Sequence, residues 1–352
     1  MSYIVKKILW LLLLCCACLQ SYASTADDAA ALLQTVNEQE PIRSDSIWQR
    51  VIKGFLVNHK ETAEVRYWQA RYSNPRFFYA VINNAAPYLY FVLVETERRG
   101  FPSELAFIPI IESSYNPKAK AAHEVSTGMW QFEHAAMVRF GMQHTNSLDE
   151  RMDVIKSTKS AMVYFQYLYA LFGTWETAIA AYNWGEGNIY NATLQAGSKN
   201  FYDLKVRDIT KQYIAKLIAL ATIIEDPARF GLRLPHIPNQ PYLMIVQPND
   251  NYTVKEFIHK LKIRHDMFHD FNPQFKNDDM LLDNNSSVLV PYDIAEKYYI
   301  ETEGKINKNK QNIDAILQRI DMVNEDIQKQ KASTDSDDSG ATDIIEAVIQ
   351  NN

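Results

Sequence analysis

From Ser46 to about Phe230 apolar residues recur at spacings of three and four, as in Ile47, Val51 and Phe55 and again in Tyr90 and Val94. That is the period of helices that bury one face. Tyr88 to Arg99 reads as a helix closed by Arg98, Arg99 and then Gly100, a basic last turn followed by a glycine cap. Phe101-Pro102-Ser103 forms a turn, and Ser103 is placed to cap a helix with Glu104 in its first turn. This helix is expected to run to about Ser114 and to bend at Pro109. Further helices are predicted over 157–172, ending at Gly173, over 176–183, stopping at Gly185 and Gly187, and over 211–224, with Pro227 just past it.

The pattern changes at 232–241, where Pro235, Pro238 and Pro241 predict a stiff linker. Beyond it the periods alternate: a strand over 243–246, helices over 254–261 and 264–271, an Asn272-Pro273 turn, and a strand over 287–291. This is a small βααβ unit. From Glu303 the chain is polar, but Ile306, Ile313, Ile320 and Ile327 repeat every seven residues. A short coiled-coil seam and a charged helix lying on the protein fit that repeat equally well. The Ser/Asp-rich stretch 331–342 is expected to be disordered, and the apolar stretch 344–349 could serve as a docking peptide.

The first residues carry Lys6 and Lys7, an apolar run over 8–19 and then Ser21-Tyr22-Ala23, the form of a signal peptide cleaved before Ser24. Cys15, Cys16 and Cys18 all lie in this segment, so a mature chain would hold no cysteine and no disulfide. Export to the periplasm is the main expectation. Acylation of Cys18, with attachment to the outer membrane or cell wall, is the minor one, because Cys15 and Cys16 fit a lipoprotein signal poorly. The 352 residues leave room for one large domain plus a module, and 47% apolar and 12% aromatic residues can build a sizeable core. A net charge of −6 argues against nucleic acid as a partner.

Three clusters inside the helical region can carry chemistry: Glu112-Ser113-Ser114-Tyr115-Asn116-Pro117, Gly128-Met129-Trp130-Gln131-Phe132, and Ala180-Ala181-Tyr182-Asn183-Trp184-Gly185-Glu186-Gly187. Breaking a glycosidic bond needs an acid for the leaving oxygen, and a glutamate serves if burial raises its pKa. Glu112 follows Ile108, Ile110 and Ile111 and has little charge beside it in sequence. Tyr115, Trp130, Gln131, Tyr182, Asn183 and Trp184 offer aromatic faces for sugar rings and amides for acetamido groups. Tyr182 is the candidate for an oxygen that supports an oxocarbenium-like transition state, and glycines 128, 185 and 187 would let backbone approach a ligand. Taken singly, each cluster reads better as a surface helix end or a packing turn than as a site. Their conjunction favours a sugar site.

These residues also resemble a known family. The strings "YLYFVLVETERRGFPSELAFIPIIESSYNP", "GMWQF", "LDERMDV", "AAYNWGEGN" and "YIAKLIALATIIEDPARFG" make the stretch from about Ser46 to Tyr242 similar to the membrane-bound lytic murein transglycosylase D family. The resemblance implies a mainly α, lysozyme-like fold of the soluble lytic transglycosylase type. It implies Glu112 as the single acid/base, Ser113 as the serine that follows it and Gln131 as a residue lining the glycan site. It further implies Tyr182 and Asn183 as the Tyr-Asn pair, with the tyrosine supporting the transition state, and Tyr213 as a tyrosine facing the site. Gly128, Met129, Trp130 and Tyr115 complete the expected substrate-binding set.

The implied reaction is non-hydrolytic cleavage between N-acetylmuramic acid and N-acetylglucosamine, leaving a 1,6-anhydro ring. That would account for a single conspicuous carboxyl where a hydrolase uses two. This chain departs from the family's pattern in the loop bearing His123 and Glu124 and in "EHAAMVRFGM" after Phe132. The segment from "VQPNDNYTVKEF" to "SVLVPY" resembles a degenerate LysM module, in which Asn249-Asp250-Asn251 keeps only the aspartate of the usual turn. His259, His265 and His269 in that module lack a cysteine or a tight carboxylate set, so they read as helix-surface histidines, with no metal and no cofactor expected.

The resulting division is a signal segment 1–23, an N-terminal helical region 24–95, a catalytic domain 96–231, a linker 232–241, a LysM-like module 242–297, a polar helix 298–330 and a tail 331–352. Peptidoglycan strands are the expected partner, and the C-terminal helix and tail leave room for a protein partner. A hydrolytic muramidase of the same fold and a non-catalytic peptidoglycan-binding scaffold are the alternatives.

Overall fold

The computed structural model describes residues 46–122, 125–282 and 286–303. The signal segment, His123 and Glu124 of the divergent loop, the heptad-like repeat and the tail therefore lie outside the described residues. The helical region contains α1 (Trp48–Lys53), α2 (Ala63–Tyr72), α3 (Pro75–Ala85), α4 (Leu89–Glu97), α5 (Ile108–Ser113), α6 (His134–Arg139), α7 (Val154–Phe172), α8 (Trp175–Trp184), α9 (Glu186–Ala196) and α10 (Asp208–Glu225). A two-stranded hairpin, β1 (Ser126–Thr127) with β2 (Phe132–Glu133), is its sheet element among the described residues. The fold is mainly α, as a lysozyme-like domain requires.

Two central helices organise this core. In α8, Ala178, Ile179, Ala180 and Ala181 have no exposed surface, and small side chains let α7 and α10 approach closely. In α10, the run from Leu217 to Ala221 is buried, and the helix packs against α2, α8 and the 3-10 turn over Ser103–Phe107. The helix α7 starts earlier than the apolar pattern suggested, because Asp153 caps it by accepting from the Ile155 and Lys156 amides. No single described helix is long and apolar enough to cross a membrane; α3 and α4 together would pass on composition, but they meet at 70°.

The helix expected from Ser103 to Ser114 is split. Ser103–Phe107 is 3-10, and α5 begins only at Ile108, with Pro109 in its first turn. Ser103 does not cap it. Its hydroxyl donates to the Val51 carbonyl at 2.6 Å, tying this turn to α1. Glu104 is also withdrawn from the helix start. Its Oε1 accepts from the Leu56 amide at 3.1 Å, the Val57 amide at 2.9 Å and His59 Nε2 at 3.0 Å. A proline in the first turn is tolerated because its missing N–H has no intrahelical partner there.

The C-terminal module forms the strand-helix-helix-strand order expected, with additions. β3 (Leu243–Val246) pairs antiparallel with β6 (Val288–Pro291), Leu243 opposite Pro291, and encloses α11 (Val254–Leu261) and α12 (His265–Phe271). A second short pair, β4 (Tyr252–Thr253) with β5 (Leu281–Leu282), flanks them. The last helix among the described residues, α13 (Tyr292–Glu303), starts within the expected module, and its Ala295 and Tyr298 pack in the module core.

The proline-rich stretch is not a free spacer. Leu232 and Ile237 are buried, the Ile47 amide donates to the Ile237 carbonyl at 2.9 Å, and Trp48 Nε1 donates to the Pro235 carbonyl at 2.7 Å. The module docks directly on the helical domain as well. The Asp149 amide donates to the Gln274 carbonyl (2.9 Å), the Lys276 amide donates to the Ser147 carbonyl (2.8 Å), and Lys118 pairs with Asp270.

Candidate active site

The acid sits at the last turn of α5, where the chain reverses on two consecutive left-handed residues, Ser114 (φ 54°) and Tyr115 (φ 60°). Non-glycine residues rarely adopt this conformation, and it persists only where the surroundings fix it. Here they do. The Ser114 and Tyr115 amides donate back to the Ile110 and Pro109 carbonyls, and Asn84 donates to the Ser114 carbonyl at 3.0 Å. Tyr115 is 1% exposed, donates its hydroxyl to the Ala106 carbonyl at 2.7 Å and lies parallel to the Tyr88 ring. The turn after the acid is therefore locked in place, while Glu112, Ser113 and Ser114 stay half-buried.

Glu112 consequently holds a half-buried carboxyl. Burial pushes its pKa up to about 7, and this outweighs the hydrogen bond from Tyr213 and the charge of Lys216, both of which lower it. The Tyr213 hydroxyl donates to Glu112 Oε1 at 2.6 Å. Tyr182 and Tyr213 are both held well above the ordinary phenol pKa, first by burial and next by the Glu112 charge, so each is a neutral donor. Lys216, one turn beyond Tyr213 on α10, has its pKa lowered by burial and sits over the Trp68 ring.

The three clusters are stitched together through the middle one. The Ser113 hydroxyl donates to the Met129 carbonyl at 2.8 Å, and the Tyr182 hydroxyl donates to the adjacent Trp130 carbonyl at 2.8 Å. Consecutive carbonyls of one loop thus set the positions of the helix bearing the acid and of the tyrosine on α8. The loop is itself fixed. Gln131, at φ 53°, donates Nε2 to the Gly128 carbonyl at 2.8 Å and accepts from Ser126 Oγ at 2.9 Å. Asn183 Oδ1 accepts from Thr210 Oγ1 at 3.0 Å, which joins α8 to α10.

Several expected sugar contacts are corrected. Met129 and Trp130 have no exposed surface, and Trp130 Nε1 donates to Thr158 Oγ1 at 2.9 Å on α7. With Tyr115 they belong to the core, because each ring or thioether fills space behind the loop and each polar atom of the rings is satisfied there. Gly128 (φ 86°) is required by protein, not by ligand: a Cβ would lie 1.8 Å from the Arg151 carbonyl oxygen. That carbonyl belongs to the Leu-Asp-Glu-Arg-Met-Asp-Val stretch, where buried Arg151 grips Asp149 through Nε (3.0 Å) and Nη2 (2.9 Å).

Sequence reasoning missed Lys216, Thr158 and the Asp149–Arg151 pair. Lys216 could have been found by its spacing of three from Tyr213, which puts both on one face of α10. Other half-buried or buried glutamates of the domain have partners of their own: Glu95 pairs with Arg99, Glu104 with His59, and Glu186 with Arg139 and Tyr164.

The profile of the transglycosylase SLT domain matches residues 91–205, which span α4 to the 3-10 turn after α9 and include Glu112, Gln131 and Tyr182. Membrane-bound lytic murein transglycosylase D of Escherichia coli (strain K12) is 31% identical over 195 residues, 54% of this chain and 43% of that protein. A putative tributyltin chloride resistance protein of Alteromonas sp. (strain M-1) is 36% identical over 166 residues, 46% of this chain and 78% of that relative. The matched region thus spans less than half the length of the Escherichia coli relative. The helical fold, the half-buried glutamate at the end of α5 and these similarities agree: residues 91–205 form a transglycosylase SLT domain, and about half of the chain is similar to membrane-bound lytic murein transglycosylase D.

Proposed function

We propose that this protein is a peptidoglycan lytic transglycosylase that cleaves the β-1,4 bond between N-acetylmuramic acid and N-acetylglucosamine without water. The observation that carries the reading is Glu112, a carboxyl kept near pKa 7 by burial while Tyr213 holds its Oε1 at 2.6 Å. A group with that pKa is protonated in a useful fraction at neutral pH and returns readily from its anion, so one residue can act as acid and then base. Glu112 donates its proton to the glycosidic oxygen as the C1–O bond breaks, and the substrate's acetamido oxygen closes on C1. The carboxylate then takes the proton of the C6 hydroxyl, whose oxygen displaces the acetamido group and forms the 1,6-anhydro ring. Proton count is conserved, and Glu112 ends as it began.

In this reading Tyr213 holds the carboxyl in one orientation, and Tyr182 offers its oxygen dipole beside the forming positive charge. Ser113, Gln131 and Asn183 keep the loop and helices in register, and Gly128 leaves room for the Arg151 carbonyl behind that loop. The module at 242–297 is proposed to hold glycan as a LysM-like unit, and the chain is proposed to work in the periplasm or cell envelope.

Digestion of purified sacculi followed by mass spectrometry tests the reaction. Anhydromuropeptides, lighter by one water than hydrolysed ones, are expected. Reducing muropeptides alone would instead make the protein a muramidase, and intact sacculi would leave it a binding protein.

A further inference from the structure

The helix α12 places His265 and His269 four residues apart, hence on one face. Sequence alone gave this pair no third ligand. The fold supplies one from the turn before β5. His265 Nε2 lies 2.7 Å from Asp278 Oδ2, and His269 Nε2 lies 2.9 Å from Asp278 Oδ1. The three donor atoms all fall within 4.8 Å of one another. A tetrahedral zinc ion, with bonds of about 2.0–2.2 Å, needs neighbouring donors about 3.4 Å apart. The present spacings, from 2.7 Å up to 4.8 Å, bracket that value. His259, on α11, is not part of the cluster.

The backbone that carries these donors is already fixed. The Asp278 carbonyl accepts from the Lys255 amide at 2.9 Å, and the Met280 carbonyl accepts from the Val254 amide at 2.9 Å, which pins the turn to α11. Buried Asn272 donates to the Phe268 and Leu289 carbonyls and accepts from the Leu289 amide, which pins the end of α12 to β6. The His265 side chain is 64% exposed, so an ion has an open path and a solvent-facing fourth position.

We propose that His265, His269 and Asp278 form a binding site for a divalent transition-metal ion, with Zn2+ the best match to two imidazoles and one carboxylate. Each imidazole binds through Nε2, with its proton on Nδ1. The ion bridges α12 to the turn that follows it. Between these ligands lies 270–276, the segment that docks on the helical domain through Asp270, Gln274 and Lys276. The site is therefore a clamp on the docking segment, remote in role from Glu112, and it stands whether or not the glycan chemistry above is right.

Isothermal titration of the untagged mature chain, residues 24–352, which holds no cysteine to compete for the ion, with ZnCl2, paired with thermal melts, tests this. One Zn2+ per chain is expected, with a rise in melting temperature, while Mg2+ and Ca2+ give neither. His265→Gln and His269→Gln should each weaken Zn2+ binding at least about tenfold, as loss of a ligand exceeds the usual effect of losing a ligand's supporting partner. His259→Gln should bind as the unchanged protein does. His265 is exposed and bonds to Asp278, so its variant folds and decides the matter even if Asp278→Asn does not. Equal affinity in His265→Gln and the unchanged protein, or no binding at millimolar Zn2+, would overturn the proposal.

Discussion

Replacing Glu112 by glutamine isolates the cost of keeping a carboxyl dry. Its pKa moves from 4.5 in the unfolded chain to about 7 in the folded one. At 1.36 kcal/mol per pH unit, ionising it in place costs about 3 kcal/mol. The sign follows from proton binding. Between pH 4.5 and 7 the folded state holds the proton more firmly than the unfolded state, so stability falls as pH rises through that window and stays lower above it. Glutamine has the same shape, can still accept from Tyr213, and does not titrate. The variant should match the parent below about pH 4.5 and exceed it by about 3 kcal/mol above pH 7 while losing turnover. Urea unfolding of both proteins at pH 4.5 and pH 8 measures this, and titrating groups that do not interact with Glu112 cancel in the comparison. A stability difference that is the same at both pH values would refute the burial argument. Surviving turnover would refute the assignment of the acid.

Three other changes probe the frame. Tyr213→Phe removes a donor that lowers the Glu112 pKa, so the alkaline limb of the pH–rate profile should move up by about one unit, on the scale of one hydrogen bond to a charged group. Gly128→Ala would place a methyl against the Arg151 carbonyl, and denaturant melts should register a loss of several kcal/mol. Arg151→Met leaves the Asp149 carboxylate buried without its bidentate partner, with about 3–5 kcal/mol lost in the same assay.

Where a side chain's role depends on one helix, the sequence was informative. The predicted extents 243–246 and 254–261 coincide with β3 and α11, because alternation and the three-four period are local properties. Glu112 was recognisable for the same reason, as an acid at the end of an apolar run. Trp130 was not. An indole inside Gly-Met-Trp-Gln suits a sugar platform and a core plug alike, and only Thr158 on a distant helix decides between them. Ser103 has the composition of a helix cap, but its hydroxyl found the Val51 carbonyl across the fold. Tyr213 came only from family resemblance, since nothing near it in sequence marks a partner 101 residues away. Asp278 likewise means nothing beside His265 until the turn folds back.

The link between the acid and Tyr182 through neighbouring carbonyls at 129 and 130 also bears on how such a protein can change over evolutionary time. A peptide carbonyl is present whatever side chain its residue carries. The spacing between the two groups is therefore written in main chain, and it is insulated from substitutions in α6, where His134, Ala135 and Val138 face outward. Substitutions in that outer helix can therefore change the surface beside Phe132 without moving the main chain that spaces Ser113 from Tyr182. The divergent segment after Phe132 occupies the part of the molecule where novelty is cheapest to try.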